Sequence, residues 1–275
     1  MSALAIGLAL ALAASVALNG SYVIQHVGSG DAPPIDPRRP IATFRGLLGS
    51  RLWLAGGALG MAGWAAHVDA LAHAPLSLVQ AFVAGGLGLL APIASRALGH
   101  ALSPAQWAGV ALAILALGLL CVGIGNPGLH AHAPPAAMAS FVAACATAAA
   151  ALTLLARSWR AQALGLAGGV LYGAADVAIK AVTGTGLVSE WTIVAAIATA
   201  GAFFAFQRGL QRGRAVPVIV VMTSATTVVS VIGGFVVFGD PLGRTPGLVA
   251  LHLLAFGLVT LAAAALAPAA ERLPA

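Results

Sequence analysis

Residues 217–246 read PVIVVMTSATTVVSVIGGFVVFGDPLGRTP: a proline, about 20 apolar or small residues, and a polar turn that closes on Thr245-Pro246. An uninterrupted apolar run of roughly 20 residues is the length of helix that crosses the hydrocarbon core of a bilayer. Residues 75–104, PLSLVQAFVAGGLGLLAPIASRALGHALSP, repeat this outline, with the same 29-residue spacing from first proline to last and with Ser103-Pro104 at the end. A hydroxyl residue followed by proline starts a helix well. The hydroxyl accepts from free amides of the first turn, and proline at the first helical position gives up no hydrogen bond. Each copy therefore predicts one membrane helix, a short turn, and the start of another.

The rest of the 275-residue chain has the same character. It is 60% apolar and only 7% charged, where a soluble domain carries roughly a quarter charged residues. The net charge of +6 does not point to nucleic acid, because the basic residues lie beside hydrophobic segments rather than on a polar face. Cys121 and Cys145 both fall inside apolar segments, with no metal-ligand partner nearby in sequence. The apolar run from Ala3 to Val27 has no Lys or Arg ahead of it, which reads as a first span and not a cleaved signal.

Nine spans are expected, at about 3–27, 51–73, 76–98, 104–125, 136–156, 161–182, 190–208, 214–238 and 246–268. The stretch from Gly28 to Ser50, with its prolines and charges, reads as a loop. These spans put Arg38, Arg39, Arg45, Arg51, Arg96, Arg157, Arg160, Arg208, Arg212, Arg214 and Arg272 on one side, and only Lys180 and Arg244 on the other. By the positive-inside rule the arginine-rich side is cytoplasmic, with the amino terminus outside and the carboxyl terminus in the cytoplasm. The expected fold class is all-α: a single polytopic transmembrane domain over 1–275, in the cell membrane. Spans 3–4 match spans 8–9, and Leu18-Asn19-Gly20-Ser21 in span 1 is similar to Leu171-Tyr172-Gly173-Ala174 in span 6. This gives a first repeat over 3–125, a linking helix over 136–156 and a second repeat over 161–268. One helix between two four-helix units turns the second upside down, the inverted arrangement found in many transporters.

Two four-helix units of this kind resemble the drug/metabolite transporter superfamily. The likeness rests on Ala74-Pro75-Leu76-Ser77 with Gly99-His100-Ala101-Leu102, and on Ala215-Val216-Pro217 with Phe238-Gly239-Asp240-Pro241-Leu242. Trp53-Leu54-Ala55-Gly56, Gly63 and Ala74-Pro75-Leu76-Ser77-Leu78-Val79 are similar to the second and third helices of NIPA-type magnesium transporters. The resemblance implies nine spans and transport of a small solute or cation by alternating access, with magnesium or another divalent cation as the alternative substrate.

Ionisable groups inside a span are expensive, at least about 2.5 kcal/mol each, and so mark candidate sites. Asp176 lies in span 6 beside Gly165, Gly168, Gly169 and Gly173, a small-residue run that lets another helix approach closely. Its carboxylate is either a substrate ligand or the partner of Lys180, four residues on along the same face. His67, Asp69 and His73 near the outer end of span 2 suit a divalent ion or a proton relay, or else form an interfacial polar rim. Among neutral groups, Asn19, Gln25, Gln80 and Tyr172 can bond a substrate or a neighbouring helix. His130-Ala131-His132 in the loop after span 4 is a weak metal pattern. Asp69, Asp176, Glu190 and Asp240 all map to the outer half, where they form an acidic vestibule attractive to cations or simply remain where positive charge is excluded. Pro92 should bend span 3. The expected substrate-binding residues are thus Asn19, His67, Asp69, Gln80, Tyr172 and Asp176. Their expected partners are a small-molecule or cation substrate and the lipid bilayer, with room for a homo-oligomer. No phosphate-binding loop, His-Glu-x-x-His or hydrolase pattern occurs, so neither a catalytic residue, a resident metal nor a cofactor is expected. A non-transporting membrane scaffold or partner subunit is the reading from another class.

Overall fold

Hydroxyl and proline residues set where several helices begin. In the computed structural model, which describes residues 3–28, 45–46, 48–98, 102–122, 133–155, 160–212, 215–240, 243 and 245–266, Ser103 caps its helix through a capping box. Its hydroxyl accepts from the Gln106 amide, the Gln106 side chain accepts from the Ser103 amide, and Pro104 occupies the first turn. Thr245 supplies the hydroxyl half of such a cap ahead of Pro246, accepting from the Leu248 amide at 3.3 Å. Ser50 accepts from the Trp53 amide at 3.2 Å.

Nine long helices result among the described residues: α1 (Ala3–Gly28), α2 (Arg51–His73), α3 (Leu76–Leu98), α4 (Pro104–Leu120), α5 (Pro135–Leu155), α6 (Arg160–Thr185), α7 (Glu190–Arg212), α8 (Ala215–Phe238) and α9 (Pro246–Leu266). No strand occurs among the described residues. The largest departures from the expected spans are at helix ends. α6 continues to Thr185 because the Thr183 and Thr185 hydroxyls bond back to the Lys180 and Ala181 carbonyls. It stops where Gly186 takes the left-handed conformation, φ +89°, and sends its amide to the Val182 carbonyl, a helix end that favours glycine. α4 ends early, at Leu120.

Four helices carry apolar stretches long enough by length and composition to cross a membrane: Ala3–Ser21, Pro135–Leu154, Ala161–Thr185 and Val221–Phe238. Met61, Leu154, Ile193, Ile197, Val236 and Leu261 are each more than half exposed on the outside of the bundle. In water such a surface would drive aggregation, whereas lipid tails solvate it. The molecule is an all-α polytopic membrane protein.

Within the bundle α1 packs on α2 and α3, and α6 packs on α7 and α8. The first four helices meet the last four where α3 faces α8, α4 faces α9, and α2 touches α6; α5 lies against α6 and α8. Of the four apolar stretches, the one in α6 is the most enclosed and the one in α5 the most peripheral. The reason is the glycine face of α6. A side-chain carbon at Gly169 would meet the Met222 carbonyl and Ala225, and one at Gly173 would lie 2.6 Å from Val229. Across the same seam Val177 fills the space left by Gly233 of α8. Only the absence of side chains there lets two parallel helices approach so closely. α1 meets α3 similarly, with the Ser15 hydroxyl seated against Gly86 and donating to the Val83 carbonyl.

Candidate functional site

Close contact of α6 with α8, of α6 with α2 and of α8 with α3 brings four polar side chains together within largely apolar helices. Asp176 comes from α6, His67 from α2, Gln80 from α3 and Ser230 from α8. The Gln80 amide and the Ser230 hydroxyl each donate to Asp176 Oδ2 at 2.9 Å. His67 Nε2 lies 3.4 Å from Asp176 Oδ1 and 3.4 Å from the Gln80 amide nitrogen. The side chains of His67 and Asp176 are 7% and 14% exposed, respectively. A carboxylate removed from water to this degree costs several kcal/mol. The two donors on Oδ2 offset much of that, joined by His67 when its proton is on Nε2, since a hydrogen bond to a charged group contributes about 1.5–3 kcal/mol. The second ring nitrogen of His67, Nδ1, is buried with no hydrogen-bond partner.

Lys180 does not pair with Asp176. One turn further along α6, its side chain is almost fully buried, 1% exposed, and its ammonium donates to the carbonyls of Leu71 and, at 2.9 Å, Ala74. Pro75 explains this choice. The Leu71 carbonyl would ordinarily accept from the amide four residues on, and proline has none. Lys180 supplies the missing donor at the negative end of the α2 dipole. On the other side of the same turn the Asp240 carboxylate accepts from the Ser77 amide at 2.7 Å, in the first turn of α3 where a negative charge is favoured. The α2–α3 junction is thus held from the second half of the chain by one cation and one anion. Replacing Lys180 with methionine keeps the length of the side chain but orphans both carbonyls. The variant is expected to lose about 1–3 kcal/mol of stability, the penalty for buried unsatisfied groups, seen as a lower midpoint when size-exclusion profiles are recorded after heating.

The other candidates lie apart from this cluster. Asp69 is exposed and His73 half-buried, one turn apart on α2, with His73 Nδ1 2.8 Å from the Asp69 carbonyl and 3.4 Å from its carboxylate; His67 points away from them into the bundle. Asn19 donates to the Ser15 carbonyl at 2.8 Å and the Ser15 hydroxyl at 3.2 Å within α1. Tyr172, one turn from Asp176 on α6, packs against the cluster of Ala161, Phe206, Val218 and Met222. Glu190 opens α7, exposed in its first turn. His130, His132 and the Gln25 side chain lie outside the described residues. Among the described residues no three His, Cys, Asp or Glu side chains gather as a metal cluster.

Sequence reasoning passed over Ser230, one of several hydroxyl residues in α8. Its neighbours Thr226 and Thr227 bond back to carbonyls of their own helix. The signal was the register of the glycine seam: Gly173 against Val229 and Val177 against Gly233 bring Asp176 level with Ser230.

A partly buried acid with a buried imidazole, amide and hydroxyl at the meeting of four helices defines a membrane protein with a polar site inside an apolar bundle. The chain is similar to a probable magnesium transporter, NIPA9, of Arabidopsis thaliana, with 27% identity over 280 residues that cover 92% of this chain and 79% of that protein. No established family pattern matches the chain, and no solved structure matches it.

Proposed function

We propose that the protein is a membrane transporter of the NIPA-like kind, within the drug/metabolite type, that carries a small cation by alternating access through the site around Asp176. The single observation that carries this reading is the partly buried carboxylate where helices of both halves meet. An anionic group at such a place marks a cation path rather than a packing contact. The similarity to a probable magnesium transporter makes divalent cations, magnesium among them, the substrates to test first.

The same reading takes α1–α4 and α6–α9 as inverted repeats joined by α5. Its support is the matched packing of α1 on α2 and α3 and of α6 on α7 and α8, together with the equal proline spacing. The arginine distribution supports a cell membrane orientation with the amino terminus outside. Flux into sealed proteoliposomes tests the function. Saturable uptake of a divalent cation, reported by a trapped indicator dye, is expected with the protein and absent from empty liposomes. Uptake indistinguishable from that of empty vesicles across magnesium, manganese, cobalt and zinc would overturn the cation reading.

A further inference from the structure

His67 is the residue of the cluster that a magnesium site does not need. Magnesium prefers octahedral oxygen ligands and keeps several of its waters, so one or two carboxylates suffice. Imidazole suits zinc, copper, iron and nickel, whereas magnesium, calcium and manganese favour oxygen. Here a ring is buried, 7% exposed, with Nε2 3.4 Å from Asp176 Oδ1, a separation that lets both atoms reach one ion at bond lengths of about 2.1 Å.

The far ring nitrogen bears on how tightly a metal would be held. A metal-ligating histidine usually donates its other ring N–H to a partner that fixes the ring and strengthens the ligand. In His67, Nδ1 is buried with no hydrogen-bond partner, so a metal on Nε2 lacks that support and is held weakly. With the proton on Nε2, the ring donates to Asp176 and leaves a bare lone pair on Nδ1. With the proton on Nδ1, Nε2 and Oδ1 become two acceptors side by side, an arrangement that repels until a cation lies between them. This exchange of tautomers prepares a nitrogen ligand with no net gain or loss of protons. Gln80 stands 3.4 Å from Nε2 and 2.9 Å from Oδ2. Turning its amide over presents the carbonyl oxygen in place of the amine, and the Ser230 hydroxyl lies 2.9 Å from Oδ2.

We infer that the Asp176 site takes a first-row transition-metal dication through His67 Nε2 and Asp176 Oδ1, with Gln80 and Ser230 assisting, in preference to magnesium. This rests on the cation-transport reading and names its substrate class. One carboxylate and one imidazole hold such an ion loosely, as transport requires, and the lack of a third His, Cys, Asp or Glu among the described residues separates this from a storage or structural site.

Manganese provides the probe, because it binds at oxygen sites as well as at nitrogen ones and its electron spin reports directly coordinated nitrogen. Protein purified in detergent, stripped with chelator and loaded with one equivalent of manganese is expected to show a nitrogen-14 coupling in pulsed electron paramagnetic resonance. The coupling should vanish in His67→Gln and persist in His252→Gln, whose ring in the native protein faces the Val122 carbonyl instead. Zinc or cobalt should displace the manganese at concentrations at least about tenfold lower than magnesium, following the order of affinities at nitrogen-containing sites. If His67→Gln does not give a monodisperse protein, that competition on the wild type decides. Bound manganese without nitrogen coupling, coupling that survives His67→Gln, displacement equally easy by magnesium, or no bound manganese would each overturn the inference. An all-oxygen manganese signal that disappears in Asp176→Asn would overturn it while leaving cation transport standing. Loss of the transport reading shows separately, as the absence of saturable flux.

Discussion

Replacing Asp176 with asparagine is expected to lower cation flux by roughly thirtyfold or more while the helices remain assembled. Asparagine has the shape of aspartate, and its amide can still bond the neighbours that now surround the carboxylate: Gln80, Ser230 and His67. What disappears is the negative charge. Removing one member of a buried charge pair costs about 2–5 kcal/mol, and about 1.4 kcal/mol is a factor of ten, so the lower bound already gives the stated loss. Flux into proteoliposomes measures the effect, and an unchanged elution volume shows that the bundle survives. Asp69→Asn is the internal control. Asp69 is exposed and faces His73 on the outside of α2, so its charge is lost without touching the cluster, and flux should fall less than twofold. Equal flux in wild type and Asp176→Asn, in a preparation where the wild type transports, would remove Asp176 from the ion path.

The contrast between these two aspartates shows where sequence reading stops. Both are acids in or near apolar helices, and sequence position places both in the same half of the membrane. What separates them is the direction each faces. In a soluble helix the polar face marks the outside, but lipid is as apolar as a protein interior, so hydropathy does not say which side of a membrane helix is buried. The helices themselves were legible because composition and caps decide them, as at Ser103-Pro104 and Thr245-Pro246. The seam between α6 and α8 was half legible: Gly165, Gly169 and Gly173 announced close packing but not the helix that fills it. His67, Gln80 and Asp176 are drawn from three separate helices, and their meeting depends on that seam and on its register. Lys180 was the least legible. Its partners are backbone carbonyls at the end of α2, and the only sign in the sequence is the proline that leaves Leu71 without an amide.

Gly169→Val is expected to destabilise the bundle strongly. The first added carbon would meet the Met222 carbonyl and Ala225. A flexible side chain can swing aside, but a carbonyl within a helix cannot move without its neighbours. The collision therefore resolves by separating α6 from α8, at or above the upper end of the about 1–3 kcal/mol typical of overpacking. The same side chain at Gly57 of α2, where nothing lies within 4 Å of an added carbon, should be neutral or mildly stabilising, since valine is somewhat better than glycine in a helix. The pair of variants thus isolates the contact from the chemistry of the substitution. Midpoints from heated size-exclusion profiles measure it, and a Gly169→Val protein as heat-stable as Gly57→Val would mean that α6 and α8 do not touch there. The change also reaches the site: Ser230 is carried by α8 and Asp176 by α6, with 2.9 Å between them. Prising the helices apart by the width of one methyl group breaks that bond, so residual Gly169→Val protein should lose flux even where it stays folded. Gly169 touches no ion, and its effect on transport would come through the position it gives to Ser230 and Asp176.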